Sequence, residues 1–230
     1  MIKIKNLSKK YTLGNEDILA LDDVDFSVKE GEFVSIIGPS GSGKSTLMNI
    51  IGLLDVPDSG EYYLDGKEVS KLNDNELAAF RSRSIGFVFQ NFNLLPKYNA
   101  LENVMVPLLY QGYSNEEAKV KSKEALTKVG LSHRYKHLPN QLSGGQMQRV
   151  AIARAIVSNP KIILADEPTG AVDSKTSKEI ISIFEDLNKQ GQTIILITHD
   201  HEIAKKAKRI MKIHDGKITK GDDIRWNLKI

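Results

Sequence analysis

The chain contains no cysteine, which excludes a disulfide framework and any thiolate metal site and fits a reducing compartment. Long apolar runs are missing too. Ile50-Ile51-Gly52-Leu53-Leu54 ends at Asp55, far short of the ~20 residues that cross a bilayer. No apolar segment follows the charged start Met1-Ile2-Lys3-Ile4-Lys5, so a secretory signal is not expected. Neither sign of charge dominates: 32 basic against 29 acidic side chains leave +3, too little to argue for nucleic acid. Fixed-period repeats, low-complexity tracts and Pro/Gly/Ser linkers are also absent. What remains is 230 residues, 40% hydrophobic and 27% charged, an ordinary globular composition. A chain of that length buries roughly 70% or more of its unfolded surface and needs no staples. One soluble, cytoplasmic domain with a sizeable insertion is expected.

Glycine and proline punctuate the chain regularly. Val24, Phe26 and Val28 alternate with Asp25 and Ser27 as in a half-buried strand, and Glu30-Gly31-Glu32 turns it into a strand over Phe33 to Ile37. Asp58-Ser59-Gly60 and Asp65-Gly66 bracket a short antiparallel strand around Tyr62-Tyr63-Leu64, and Ile85 to Phe89 is a further strand. Ser114-Asn115-Glu116-Glu117 is a capping box opening a helix that exits at Gly130. A second helix starts at Ser143, with Val150, Ala153 and Val157 on one face. Beyond Pro160, a continuous apolar strand (Ile162 to Ala165), an amphipathic helix (Ile180, Ile183, Phe184, Leu187) and a second buried strand (Thr193 to Thr198) follow. Asp215-Gly216 marks a late hairpin. Such alternation predicts an α/β fold with a mostly parallel sheet, an antiparallel β subdomain near the front and a helical subdomain inserted at about 90–159. The tail from Asp222 to Ile230 carries no motif.

Three motifs carry chemistry. Gly38-Pro39-Ser40-Gly41-Ser42-Gly43-Lys44-Ser45-Thr46 fits G-x-x-x-x-G-K-[ST], a pattern that average usage produces in roughly one chain in a hundred. It lies between an expected strand and an expected helix. Its glycines let backbone N–H groups converge on a polyphosphate, Lys44 reaches the β and γ oxygens, and Ser45 suits Mg²⁺. Asp166-Glu167-Pro168 follows a buried strand: Asp166 suits the metal's shell, and Glu167 suits orienting or deprotonating an attacking water. Leu142-Ser143-Gly144-Gly145-Gln146 places a serine and two glycines at a helix start, a second anion site with free N–H groups at the positive end of the dipole.

With all three in one chain, the sequence resembles, over nearly its full length, the nucleotide-binding subunit of ABC (ATP-binding cassette) proteins, whose core is a P-loop NTPase. The resemblance implies ATP and Mg²⁺ as ligands and ATP hydrolysis as the activity. It assigns Gln90 as the glutamine that touches Mg²⁺ and senses a membrane partner, and His199 as the switch histidine at the γ-phosphate. Asp173, in Gly170-Ala171-Val172-Asp173, takes the place of the loop that crosses between subunits, with Val172 where leucine is more usual. Tyr11 takes the place of the aromatic that stacks on adenine. The family's head-to-tail homodimer holds each ATP between one subunit's phosphate loop and the other's signature, Ser143 to Gln146.

A separate permease is implied, with the chain peripheral on the inner face of the cell membrane and no nucleic acid as partner. Phe92, Leu94, Leu95 and Tyr98 suit a groove for one of the permease's cytoplasmic helices. The details of that region, with Asp166-Glu167-Pro168-Thr169-Gly170, are similar to the macrolide-exporter and lipoprotein-releasing branch. Efflux, or handling of lipoproteins or antimicrobial peptides, is the implied service. A regulatory switch on a membrane protein that controls cell-wall hydrolysis or antibiotic sensing would use the same residues. Cassettes of chromosome maintenance are disfavoured, because Lys44 and Ser143 lie only 143 − 44 = 99 residues apart without heptads; translation factors carry two cassettes per chain.

Overall fold

The computed structural model describes residues 1–14 and 16–219, so the motif-free tail from Asp222 lies outside the described residues. In chain order the first elements are β1 (Ile2–Leu13), β2 (Glu16–Val28), β3 (Phe33–Ile37), α1 (Lys44–Ile51), β4 (Ser59–Leu64), β5 (Lys67–Glu68), α2 (Asp74–Ser84) and β6 (Ile85–Val88). They are followed by α3 (Ala100–Tyr110), α4 (Asn115–Lys128), α5 (Gly144–Ile156), β7 (Ile162–Asp166) and α6 (Ser174–Lys189). The last are β8 (Thr193–Ile197), α7 (His201–Ala204), β9 (Arg209–His214) and β10 (Lys217–Thr219). Among the described residues the chain divides into two compact units: 1–79 with 193–219, and 80–192.

The first unit holds two sheets. In one, β1 lies between β2 and β4, antiparallel to both, and β5 extends the edge beside β4. In the other, β3 runs parallel to β8 and β9, and β10 returns antiparallel on β9. Every residue of β3 and β8 is buried, as a parallel strand covered on both faces requires. The β9–β10 hairpin turns at Asp215-Gly216, both with positive φ (45° and 74°), as a two-residue hairpin prefers.

The second unit pairs β6 with β7 in parallel; α5 packs on β6, and α3, α4 and α6 pack on α5. Both α3 and α4 open on complete capping boxes, Asn99 with Glu102 and Ser114 with Glu117. Each box satisfies two otherwise orphaned N–H groups at its helix start. Along α5, the expected face keeps Val150 and Ala153 buried with Val157 half-buried, and the opposite face, Gln148, Ala151, Ile152 and Ala155, is buried as well, spaced i, i+3, i+4, i+7. No helix among the described residues is long and apolar enough to cross a membrane.

Candidate functional site

In the first unit, β3 delivers the chain to Gly38 and α1 takes it up at Lys44, so the phosphate loop is the turn between a buried strand and a helix. Gly43 caps α1 with φ 99° and no side-chain bond. A Cβ there would stand 2.5 Å from the Ala20 carbonyl of β2, so only glycine meets both the backbone angle and the close approach. The first-turn N–H groups of α1 therefore face outward without a capping side chain, as an anion-binding helix start needs. Lys44 lies across the loop, its Nζ donating to the carbonyls of Gly38 at 2.8 Å and Pro39 at 2.7 Å. Ser42 is buried, and its carbonyl accepts from Gly216 N–H, which ties the loop to the β9–β10 turn. Ser40, Gly41, Lys44, Ser45 and Thr46 line a cleft of about 410 Å³ with Leu19 and Ala20 of β2. Its size and its N–H donors suit a polyphosphate.

Tyr11 sits on β1 with about a third of its surface exposed, and its hydroxyl donates to Asp55 at 2.8 Å. Lys9, almost fully buried, supports the arrangement. Its ammonium bonds Asp55 at 2.9 Å and the Val56 carbonyl at 2.8 Å, and lies 5.3 Å from the Tyr11 ring centre. Burial raises the Asp55 carboxyl, but hydrogen bonds from Lys9, Tyr11 and Val56 N–H outweigh it and leave Asp55 below its ordinary value. His199 is exposed two residues beyond the end of β8, after the buried Thr198 and beside Asp200, which caps α7 through the N–H groups of Glu202 and Ile203.

The second unit brings four expected groups together. β7 ends at Asp166, and Glu167 follows in the left-handed region (φ 44°), its carbonyl accepting from Gly170 N–H at 3.0 Å. That conformation costs a non-glycine residue about 1–2 kcal/mol and re-aims its side chain. Gln90 leaves the end of β6 so that its amide lies over this turn; a Cβ on Gly170 would come 2.8 Å from Gln90 Nε2. Ser143 caps α5 in a capping box, its Oγ accepting from Gln146 N–H and its own N–H donating to Gln146 Oε1. The free N–H groups expected at this helix start thus reduce to those of Gly144 and Gly145, because Ser143 and Gln146 satisfy each other. Gly145 packs on α6: an added Cβ would strike Thr176 Cγ2. Asp173 caps α6 through the N–H groups of Lys175 and Thr176, both at 3.0 Å, and the Thr176 hydroxyl. Those bonds, the Thr176 hydroxyl first, hold its carboxyl below the usual range.

Sequence reasoning missed the residues that brace these groups. The Gln148 amide, fully buried on α5, donates to the carbonyls of Pro168 (2.7 Å) and Phe89 (3.3 Å). Arg154, further along α5, donates to the carbonyls of Phe92 (2.9 Å) and Asn93 (2.6 Å), both with positive φ. Asn103 of α3, also fully buried, accepts from Leu95 N–H and donates to the carbonyls of Leu95, Tyr98 and Asn99. Neither amide lies on an inward face that the sequence pattern marks: no helix is expected at α3, and the apolar face of α5 at Val150 and Ala153 lies opposite Gln148. Once buried, each amide must find partners.

The sequence profile of the ABC transporter family matches residues 21–170. The chain belongs to that family. It is 56% identical over 219 residues to the ABC transporter ATP-binding protein YknY of Bacillus subtilis, covering 95% of both chains. To MJ0796 of Methanocaldococcus jannaschii it is 51% identical over 230 residues, covering 98% of both. A solved dimer of the MJ0796 cassette in a post-hydrolysis state, bound to ADP and Pi, superposes with a TM-score of 0.90 at 50% identity over 98% of this chain and 99% of that one. The macrolide export ATP-binding/permease protein MacB of Bdellovibrio bacteriovorus is 51% identical over 95% of this chain, which spans 33% of MacB's length.

This cassette is an ATP-binding subunit of an ABC transporter and an ATPase with the P-loop NTPase fold. The matched range includes Lys44, Gln90, Ser143, Asp166 and Glu167, and stops short of Asp173 and His199 on one side and Tyr11 on the other.

Proposed function

We propose that two copies of this cassette close head to tail over two ATP molecules and drive a separate membrane permease in efflux from the inner face of the cell membrane. The observation that carries this reading is the start of α5. Gly144 and Gly145 keep unbonded N–H groups there among the described residues, so the second unit has an anion-binding helix start of its own, as the first unit has at α1. In the proposed dimer, each start faces the nucleotide held by the other copy's phosphate loop. The dimeric MJ0796 structure supports the stoichiometry.

Within that arrangement Lys44 and the loop from Gly38 to Gly43 exchange their internal bonds for the β and γ oxygens, and Tyr11 stacks on adenine. Ser45, Gln90 and Asp166 offer hard oxygen donors of the kind Mg²⁺ takes. That ion, when bound, supplies neutralisation of phosphate charge. Glu167 takes a proton from the attacking water as its oxygen bonds to the γ-phosphorus and the bond to the β-phosphate oxygen breaks. His199 holds the γ-phosphate, and Asp173 crosses to the partner copy.

Leu95 and Tyr98, 40% and 46% exposed, are displayed by the loop that Asn103 clamps, and they suit an apolar permease helix. A neighbouring groove of about 400 Å³, lined by Phe87, Phe89, Val106, Pro107 and Tyr110, extends the apolar surface in the same unit. The macrolide export relatives, named for an ATP-binding part and a permease together, support efflux as the service.

The composite site is tested by mixing two dead proteins. Lys44→Ala loses the phosphate clamp, and Ser143→Arg plugs the signature. A mixed dimer holds one doubly damaged site and one intact site, so mixing is expected to restore ATPase activity. A verified mixed dimer with activity at background would refute the head-to-tail arrangement.

A further inference from the structure

We propose that Gln148 is a positioning residue for hydrolysis: one buried amide that sets Gln90 and Glu167 against each other and ties both to the signature helix. The inference rests on the roles given above to Gln90 and Glu167. Phe89 is the residue before Gln90 and Pro168 the residue after Glu167, and the Gln148 Nε2 donates to both of their carbonyls. Carbonyls only accept, so both bonds require the amide nitrogen and fix which way the amide faces.

Its Oε1 is then left buried without a hydrogen-bond partner. A leucine or methionine would fill the same inward position of α5 without an orphaned acceptor. The glutamine is therefore explained by its two donations rather than by packing. Those donations matter because the segments they hold are not regular structure. Glu167 sits at φ 44°, Phe92 and Asn93 at 59° and 49°, and the Gln90 side chain rests on Gly170. Arg154 holds the far side of the Gln90 loop through the Phe92 and Asn93 carbonyls. One helix thus grips that loop before and after Gln90, and grips the Glu167 turn through Pro168. A shift of α5 moves the glutamine and the glutamate together, which gives the helix that begins at Ser143 a direct mechanical hold on the water-activating group.

The experiment compares Gln148→Glu, Gln148→Leu and Asn188→Leu in the full chain. Asn188 is a buried amide of α6 in the same unit that donates to the Gln192 carbonyl, remote in role from hydrolysis. Melting midpoint, affinity for a fluorescent ATP analogue, KM and kcat are measured for each. For both Gln148 variants the expected result is a kcat lowered at least about tenfold with nucleotide affinity within about twofold of the parent, since small displacements of reacting groups are costly. Asn188→Leu is expected to lower the midpoint comparably and keep kcat within about twofold of the parent. Adding Gln148→Glu to Glu167→Gln should lower the residual rate no further, because both act on one step.

A folded Gln148→Glu protein with parental kcat overturns the proposal. So does a kcat loss in Asn188→Leu that matches the Gln148 variants at equal loss of midpoint, or failure of both Gln148 variants to fold, either of which makes the amide merely structural. If Glu167→Gln itself hydrolyses ATP at the parental rate, the underlying assignment of Glu167 fails instead.

Discussion

Asp55→Asn tests the network that holds Tyr11. The substitution keeps the shape of the side chain but only one of the two acceptor oxygens, of which Oδ1 serves Lys9 and Val56 N–H and Oδ2 serves Tyr11, and it removes the negative charge 2.9 Å from the Lys9 ammonium. Lys9 has a side chain only 10% exposed, whereas Asp55 is 28% exposed. Breaking a fully buried pair costs about 3–5 kcal/mol and a surface pair about 0–1, so this half-sheltered pair should cost about 2 kcal/mol. The second carboxylate, Asp58 at 3.7 Å, is too far to replace the lost bond. For a chain of this length about 2 kcal/mol corresponds to a fall of about 4–8 °C in the melting midpoint. The pH dependence has a definite sign. Asp55 titrates below its ordinary value when folded, so its contribution is complete above the unfolded carboxylate pKa of about 4 and disappears as pH falls through the lower folded value. Lys9 is raised, because its bonds to Asp55 outweigh burial, so its share persists until pH climbs through a folded value above about 10. The difference between parent and Asp55→Asn should therefore be flat near neutrality and shrink in acid. Thermal melts across pH, with Lys9→Met and the double variant, complete a cycle. The double variant should recover most of the loss, since no buried charge is left unpaired and Asp58, which loses Lys9, is half-exposed. A midpoint within about 1 °C of the parent at neutral pH would refute the reasoning. So would a double variant that loses as much as the two singles added together.

Glu167→Gln should bind ATP as the parent does and lose most turnover, accumulating as an ATP-bound dimer on size exclusion; a monomer at saturating ATP would contradict the assignment. Leu95→Asp with Tyr98→Asp should leave basal hydrolysis and folding nearly unchanged, because both side chains are substantially exposed. Binding to the permease should weaken as charge is desolvated in an apolar contact; unaltered binding in a pull-down with the permease would remove this loop from the interface.

Much of the fold was legible because it depends on local rules. Buried strands such as β3, β7 and β8 announce themselves as continuous apolar runs, and the Ser114 capping box and the Asp215-Gly216 hairpin are short-range signals. Of the three helices missing from the sequence reading (α2, α3 and the four-residue α7), the two long ones lacked such clarity. α2 is dominated by charged and small residues with little apolar periodicity, and α3 carries an interior proline, Pro107, that argues against a helix from sequence alone. Tertiary packing of Val104 and Leu108 overrides that local objection.

The site was legible in its tips and illegible in its supports. Residues that meet the ligand are constrained by the ligand's chemistry, which recurs from chain to chain and leaves a motif. Supporting residues are constrained by where particular carbonyls fall once the chain has folded. Asn103 satisfies carbonyls four to eight residues away, but Gln148 reaches back 59 residues to Phe89 and forward 20 to Pro168. No sequence spacing encodes those distances, because they depend on how β6, β7 and α5 pack. The rule that a buried polar amide must be hydrogen-bonded or destabilise the core applies only once the fold shows which amides are inward. For α5 the apolar pattern puts Val150, Ala153 and Val157 inward, on the face opposite Gln148, so only the fold reveals that Gln148 is buried with Ala151, Ile152 and Ala155 and that its partners flank Gln90 and Glu167.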